Sequence, residues 1–366
     1  MKICHLTSVH NLDDTRIFLK ECSSLAKNKN YEVYLVGAGN SEIKNGVYMI
    51  NLDNKYKNRL NRMFNFSKEV YKKALDIDAD VYHLHDPELL RFALKFKKKG
   101  KKVIYDVHEE VSKQILSKQW IPNFSRKIIS NLFERYEKNI SKRLDYIITA
   151  TPKIKDNFKK FTDRVCNVNN FPLLSGDVEY KESNFNKKER QICYVGALTE
   201  VRNIHNIIKA VNKADCKLVL AGPVEPGYKK YLESLPGWKK TEYFGIANRD
   251  QVSDIYSNSC LGVVILKGLQ RYQRSLPVKM FEYMIAGLPI VCSDFSLWKE
   301  MVEKNNCGIC VDPENIEEVS KAIEYLLDNR DKAKQMGQNG RNLVLTKCNW
   351  DIEERKLFKV YDELGL

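Results

Sequence analysis

The sequence predicts an α/β protein of two doubly wound parallel-sheet domains, and three observations predict it. Short apolar runs of strand length alternate with stretches of helical periodicity from the first residues onward, the pattern of a parallel sheet covered on both faces. The alternation stops in the polar, aperiodic stretch NNFPLLSGDVEYKESNFNKKER at 169–190 and restarts at Gln191. A chain of 366 residues also has the length of two ordinary domains. The boundaries read as 1–170 for the first domain, 171–190 for a linker, 191–346 for the second domain and 347–366 for a terminal helix.

In the first half, Lys2–Thr7, Glu32–Gly37, Val81–Leu84, Lys102–Asp106, Asp145–Thr149 and Val165–Val168 read as strands. Helical periodicity falls at Thr15–Lys27, Leu60–Leu75, Glu88–Lys98 and Phe124–Arg143. Functional groups in such a sheet collect at the carboxyl ends of the strands. There the sequence places His10, Asp13, Asp14 and Arg16 after the first strand, His85 and Asp86 after VYHL, and His108, Glu109 and Glu110 after VIYDV. A lone loop histidine is unremarkable. Three at one end of one sheet, each with an acid close by, suggest a polar site that binds hydroxyls and moves protons. A zinc site is the alternative, but no His-x3-His pair on a helix or cysteine cluster completes one, so no metal is expected.

The second half supplies six more strand candidates: ICYVG, KLVLAG, EYFG, GVVIL, PIVCS and GICVD. YVGALTEVRNIHNIIKAV reads as strand, glycine turn and helix, with the helix N-terminus free for a phosphate. RYQRSLPVKMFEYMIAGLPIVCSD reads as loop, helix and strand, with Ser275 as N-cap, Pro277 in the first turn and Gly287 ending the helix. Glu282 stands in the middle of that apolar helix. Such a glutamate is commonly a solvated-face residue. Beside a phosphate site it has another use, accepting two hydroxyl protons from a ribose.

LPVKMFEYMIAGLP resembles the signature of family 4 retaining glycosyltransferases of the GT-B fold, and SVHNLDDTRIF, HLHDPELL and YDVHEE are similar to one branch of that family. The resemblance implies two Rossmann-like domains facing each other across a cleft. It puts the donor diphosphate on Ser275, Leu276, Pro277 and Val278, the ribose on Glu282, and the base near Phe244 and Ile246. His108 would lie beside the reacting carbon, with His10, Arg16, His85, Asp86 and Glu109 around the acceptor. The family segment vGRLxxxKG, whose Arg and Lys clamp the diphosphate, is matched at Gly196 and, for the Lys, by Arg202, while its Arg is Ala197 here. Lys279 and Arg274 are the candidates to replace the missing cation, and Arg274 also stands where many members carry the first glutamate of E-x7-E. The catalytic set implied is therefore His108, Arg202 and Glu282, acting without a cofactor. The terminal helix of relatives packs back on the first domain, and the same is expected here.

Composition narrows the partners. Of a net charge of +14, nearly all falls in residues 1–170, which hold 33 Lys and Arg against 20 Asp and Glu. Such a surplus suits an anionic partner, or a chain that uses Lys on every exposed face. The expected partners are a nucleotide sugar, a UDP-sugar first, and a glycan or lipid-diphosphate-linked acceptor of surface polysaccharide assembly. The aromatic and basic stretch Lys118–Lys127 is a candidate contact with an anionic membrane. No apolar run approaches the roughly 18 residues of a membrane span. The start goes straight into a strand without a signal peptide, and ten irregularly spaced cysteines suit reduced thiols. A cytoplasmic protein, possible at the inner face of the membrane, is expected. Cys307-Gly-Ile-Cys310 has metal or redox spacing but no second pair. The competing readings are a GT-B sugar-nucleotide epimerase, for which the basic half has no use, and a basic nucleic-acid-binding protein. Nucleic acid is not expected, because no binding motif accompanies the charge.

Overall fold

The computed structural model describes residues 1–53, 56, 58–118, 121–174, 185, 188–273 and 275–365. The chain divides into two compact units, residues 1–170 with 350–366, and residues 171–349.

The first unit is built on an eight-stranded sheet of order β3-β4-β2-β1-β5-β6-β7-β8. Its strands are β1 Lys2–Asn11, β2 Glu32–Ala38, β3 Glu42–Lys44, β4 Val47–Asn51, β5 Val81–Leu84, β6 Lys102–Val107, β7 Tyr146–Thr149 and β8 Val165–Asn167. Sequence reasoning gave six strands and missed β3 and β4. These form an antiparallel hairpin, with Ile43 opposite Tyr48, turned at Asn45 and Gly46, both at positive φ (52° and 77°). Asn-Gly is the dipeptide that tight hairpins favour, so the signal was present. β4 then pairs in parallel with β2 and extends the sheet.

The helix after β1 is also altered. It is π-helical over Thr15–Cys22, and Asp14 caps it by accepting from the amides of Arg16 and Ile17. The wide turn accompanies an unusual buried face, because Arg16, Lys20 and Glu21 point inward. The helix Trp350–Glu363 closes this unit. Trp350 donates to Ser24 Oγ at 2.8 Å, and Glu353 accepts from the Asn169 amide and side chain at 2.9 and 3.0 Å.

The second unit carries a parallel six-stranded sheet of order β11-β10-β9-β12-β13-β14. Its strands are β9 Gln191–Val195, β10 Lys217–Ala221, β11 Thr241–Gly245, β12 Leu261–Val264, β13 Ile290–Ser293 and β14 Gly308–Val311. Both faces are covered, as an all-parallel sheet requires. Leu218 and Leu220 of β10 enter one apolar cluster, and Val219 and Ala221 the other. Tyr283 packs over Gly262, where a Cβ would meet its ring at 2.3 Å. Its hydroxyl accepts the Val195 amide at 3.1 Å.

Two helix starts differ from expectation. The helix Val278–Ile285 has Pro277 itself at the N-cap, with extended backbone and no side-chain cap. Ser275 lies in the preceding loop, its carbonyl held by Trp298 Nε1 at 2.7 Å. The helix after β9 runs Ile204–Ala214 and is preceded by a 3₁₀ turn, Glu200–Arg202. Asn203 joins the two at φ 49°. It occupies the last Gly position of the vGRLxxxKG pattern, and Asn tolerates the left-handed conformation best after glycine.

Candidate functional site

In the first unit, Asp106 is the centre of the polar cluster. It sits near the end of β6, fully buried. Arg16 donates to it twice, Nε to Oδ2 at 3.1 Å and Nη2 to Oδ1 at 3.0 Å, and a third guanidinium bond reaches the Val168 carbonyl. His108 Nε2 lies 2.9 Å from Oδ2 and His85 Nδ1 3.4 Å from it. Burial alone would raise the Asp106 carboxyl. The Arg16 charge and the histidine contacts outweigh it and hold the group ionised, well below the usual carboxylate range.

Behind Asp106 runs a chain of buried rings. His85 Nε2 and His5 Nδ1 are 2.8 Å apart, the Tyr361 hydroxyl is 3.2 Å from His5 Nε2, and His83 Nδ1 is 2.8 Å from that hydroxyl. Burial lowers the basicity of His5, His83 and His85, so the three rings are neutral. The proton positions then follow by elimination. Ionised Asp106 only accepts, so His85 carries its proton on Nδ1, facing it, and receives from His5 at Nε2. His5 receives from Tyr361, and Tyr361 from His83. That leaves His83 Nε2 as a bare acceptor 3.8 Å from Glu21. Burial and the neighbouring Asp106 raise the Glu21 carboxyl well above its normal range despite Arg16. Glu21 is thus a protonated acid facing a lone pair.

Above this layer the groups reach solvent. Asp86, buried, accepts from Thr7 Oγ1 and the Ser8 amide at 2.8 and 2.7 Å. His10, about a third exposed, bridges Asp14 and Asp86 at 3.3 and 3.6 Å. The Asp14 bond is the largest of the contacts that raise its basicity. The His10 and His108 rings are 5.2 Å apart, and Glu109 beside them is exposed. Of the residues expected around an acceptor, His10, His108 and Glu109 therefore face outward. Arg16, His85 and Asp86 support them from beneath.

Two sets of groups, His5 with Glu21, His83 and His85, and His85 with Asp106 and His108, have the spacing of metal ligands. The His83 and His85 rings stack at 4.6 Å and 15°. In the other set the Arg16 guanidinium already lies against the carboxylate. Hydrogen bonds join His108 to Asp106 in the second set and His5 to His85 in the first, whereas Glu21 and His83 Nε2 have no hydrogen-bond partner among the described residues.

In the second unit the loops after β9 and β10 touch backbone to backbone. The Gly196 amide donates to Ala221 and that of Leu198 to Pro223. A Cβ on Gly222, at φ 137°, would sit 2.2 Å from the Gly196 carbonyl oxygen. Gly196 itself, at φ 135°, is covered by Lys279, whose Nζ would be 2.4 Å from a Cβ there. Lys279 donates to the Tyr194 hydroxyl at 2.7 Å, and Arg202 Nη1 to the Ala197 carbonyl at 2.8 Å. One turn further along the Lys279 helix, Glu282 accepts from Tyr256 at 3.2 Å. Phe244 and Ile246 flank Gly245 at the end of edge strand β11, and both are exposed. The structure thus brings Gly196, Arg202, Lys279 and Glu282 to one end of the sheet. Arg274 lies outside the described residues.

Sequence reasoning missed His5, His83, Tyr361, Glu21 and Asp106, and in the second unit Tyr194, while Gly222-Pro223 read only as a weak turn signal. For Asp106 the signal was an acid at the end of an apolar strand two residues before His108. Nothing local marks Tyr361, which lies 356 residues from His5.

Comparison with known proteins places the chain in a family. The profile described as glycosyltransferase family 4 matches residues 17–170, and that of glycosyl transferases group 1 matches residues 177–343. The chain belongs to the family 4 glycosyltransferases and has their GT-B fold of two parallel-sheet α/β domains. An uncharacterized glycosyltransferase of Methanocaldococcus jannaschii is 25% identical over 321 residues, 81% of this chain and 77% of that protein. The alpha-D-kanosaminyltransferase of Streptomyces kanamyceticus is 25% identical over 48% of this chain and 46% of its own length. In fold the chain is similar to sucrose-phosphate synthase of Thermosynechococcus elongatus, with TM-score 0.79, 15% identity and coverage of 100% and 99% of the two chains. It is also similar to Anabaena HepE in complex with UDP and glucose, with TM-score 0.71, 14% identity and 99% of each chain covered.

Proposed function

We propose that this glycosyltransferase takes a sugar from a nucleoside-diphosphate sugar, UDP-linked in the first instance, with retention of anomeric configuration. The acceptor is a glycan or a lipid-diphosphate-linked glycan of a surface polysaccharide. The observation that carries the donor half is Lys279 over Gly196, one helical turn from Glu282, with Arg202 on the adjacent Ala197 carbonyl. Two cations from different elements and the free amides of Val278 and Lys279 suit a diphosphate. In this reading Glu282 accepts from ribose hydroxyls, and Phe244 and Ile246 offer an apolar edge to the base. UDP is supported by the HepE neighbour, which was solved with UDP and glucose.

On the acceptor half, His108 donates through Nε2 to Asp106 and so keeps Nδ1 as an acceptor for a sugar hydroxyl. His10, Asp86 and Glu109 complete the polar rim. The reaction proceeds by front-face displacement, the departing diphosphate being stabilised by Arg202, Lys279 and helix amides, without a metal. No helix among the described residues is long and apolar enough to cross a membrane. Helix Asn123–Ser141 instead exposes Phe124, Ile128, Leu132 and Tyr136 at i, i+4 spacing, with Lys127 and Arg135 also exposed. This suits peripheral contact with an anionic bilayer that presents a lipid-linked acceptor.

The test is release of nucleoside diphosphate from UDP-, GDP-, ADP- and TDP-sugars, with and without EDTA, on wild type and His108→Ala. Turnover of one donor class that is insensitive to EDTA and reduced at least tenfold in the variant is expected. Turnover that stops with EDTA would contradict the metal-free reading, and no turnover of any donor would contradict the donor reading.

A further inference from the structure

Lys279 is an unusual place for a permanent cation. Its Nζ is 2.7 Å from the Tyr194 hydroxyl and 3.9 Å from the centre of the Tyr194 ring, pressed against the Gly196 backbone. The groups facing it are Tyr194 from β9, Arg202 from the 3₁₀ turn and Glu282 on its own helix. Tyr228 and Tyr272 lie behind Tyr194, and Tyr256 binds Glu282. Burial holds Tyr194 as a neutral phenol. Its proton goes to the Ala197 carbonyl at 3.2 Å, which leaves its oxygen to receive from Lys279. Among the described residues, neither Lys279 nor Arg202 is in an ion pair. An ammonium has three protons to place, and among the described residues Lys279 meets as acceptor a phenol that an uncharged amine also satisfies. Lys279 over Gly196 and Arg202 on the adjacent Ala197 carbonyl thus bring two basic side chains close together, neither with a carboxylate in ion-pair contact among the described residues.

We propose that Lys279 binds the donor diphosphate in place of the arginine missing at Ala197, and that it is an uncharged amine in the empty site which takes up one proton as the diphosphate arrives. The inference rests on the reading of this site as a nucleoside-diphosphate site. The proton comes from solvent: amine, proton and diphosphate give an ammonium hydrogen-bonded to a phosphate oxygen, with no covalent bond made or broken. Burial and then Arg202 lower the amine to about 7, against a smaller opposite effect of Glu282, so about half of the amines are uncharged at pH 7 and most of them at pH 8. The diphosphate reverses the balance, because a nearby anion favours the charged form. Binding and protonation are then one event, and the charge appears only where a phosphate is present to receive it.

Calorimetric titration with UDP and GDP at pH 8, in buffers of different ionisation enthalpy, counts the protons taken up. At that pH the terminal phosphate of either nucleotide is already ionised, so the uptake belongs to the protein. Close to one proton per bound diphosphate is expected for wild type. Lys279→Met should take up none and lose tenfold to a hundredfold in diphosphate affinity, about the loss of one charge-assisted hydrogen bond, with affinity for the uncharged nucleoside retained. Lys279→Arg, always protonated, should bind diphosphate more tightly than the Met variant and also take up none. Binding without proton uptake in wild type, or equal uptake in wild type and Lys279→Met, would overturn the inference while leaving the donor site intact. Absence of binding by either nucleotide would overturn the donor-site reading, and this inference with it.

Discussion

Arg16 and Asp106 meet inside the first unit through two N–H···O bonds of 3.1 and 3.0 Å, both side chains buried. Removing one partner of such a pair leaves an uncompensated buried charge, a loss of about 3–5 kcal/mol, whereas removing both is far less harmful. Asp106→Asn and Arg16→Met should each cost about that much in urea unfolding of the full chain, and the double variant less than the two singles together. Single losses below about 1 kcal/mol would show that the pair does not hold the site as described.

The two glycines of the second unit should separate stability from binding. At Gly222 an added Cβ meets backbone oxygen at 2.2 Å, and at Gly196 it meets the far end of Lys279 at 2.4 Å. Both positions have positive φ, for which a residue with a side chain costs about 1–3 kcal/mol. Gly222→Ala, which also forces two backbones apart, should lower the melting temperature more than Gly196→Ala. The order should reverse for nucleotide binding, since Gly196→Ala displaces the lysine. The same order in both measurements would contradict the placement of Lys279.

Stability should fall with acid from about pH 6.5 downward. His5, His83 and His85 have lowered folded-state basicity because they are buried. The unfolded chain then binds protons that the folded chain does not, and each histidine removes up to about 1.4 kcal/mol per pH unit. Glu21, raised by burial, and His10, raised chiefly by Asp14, act in the opposite direction, so the net loss is smaller than three histidines would give. Tyr361→Phe interrupts the chain between His5 and His83 and should change their ¹⁵N tautomer signals. Wild-type His5, His83 and His85 are expected protonated on Nδ1 at pH 7, and Nε2-protonated rings would contradict the proposed direction of the chain.

The alternation of strands and helices was legible because apolar runs and helical periodicity are local properties. So were the loops bearing His10, His85 and His108, because parallel sheets put polar groups at strand ends. The hairpin at Asn45-Gly46 was legible too, and went unread because its strand Glu42–Lys44 is fully exposed and carries no apolar pattern. The histidine chain was not legible. His5 and His83 occupy positions in β1 and β5 that read as ordinary buried strand residues, and their partner Tyr361 comes from the last helix. Arg16 and Glu21 look like surface residues of an amphipathic helix. Only the tertiary arrangement puts them inside, with Asp106 as the counter-charge of Arg16 and Glu21 entering as a protonated acid.

Helix Asn123–Ser141 exposes a stripe with Phe124 83%, Ile128 60% and Leu132 59% accessible. Vesicles of anionic lipid should sediment the protein at low salt. Phe124→Glu with Leu132→Glu should reduce the bound fraction severalfold without changing the melting temperature, because neither side chain is in a core. Equal sedimentation of wild type and variant would contradict the membrane-facing assignment.

The central claim is that a nucleoside diphosphate binds at Gly196, Arg202, Lys279 and Glu282. Thermal unfolding with UDP, GDP, TDP, ADP and CMP at millimolar concentration, on wild type and Glu282→Ala, tests it most directly. A ligand at about 100 times its dissociation constant adds ~2.7 kcal/mol of stability. A rise in melting temperature with one diphosphate, lost or strongly reduced in Glu282→Ala, is the predicted result. No rise with any nucleotide, or an equal rise in the variant, would contradict the site.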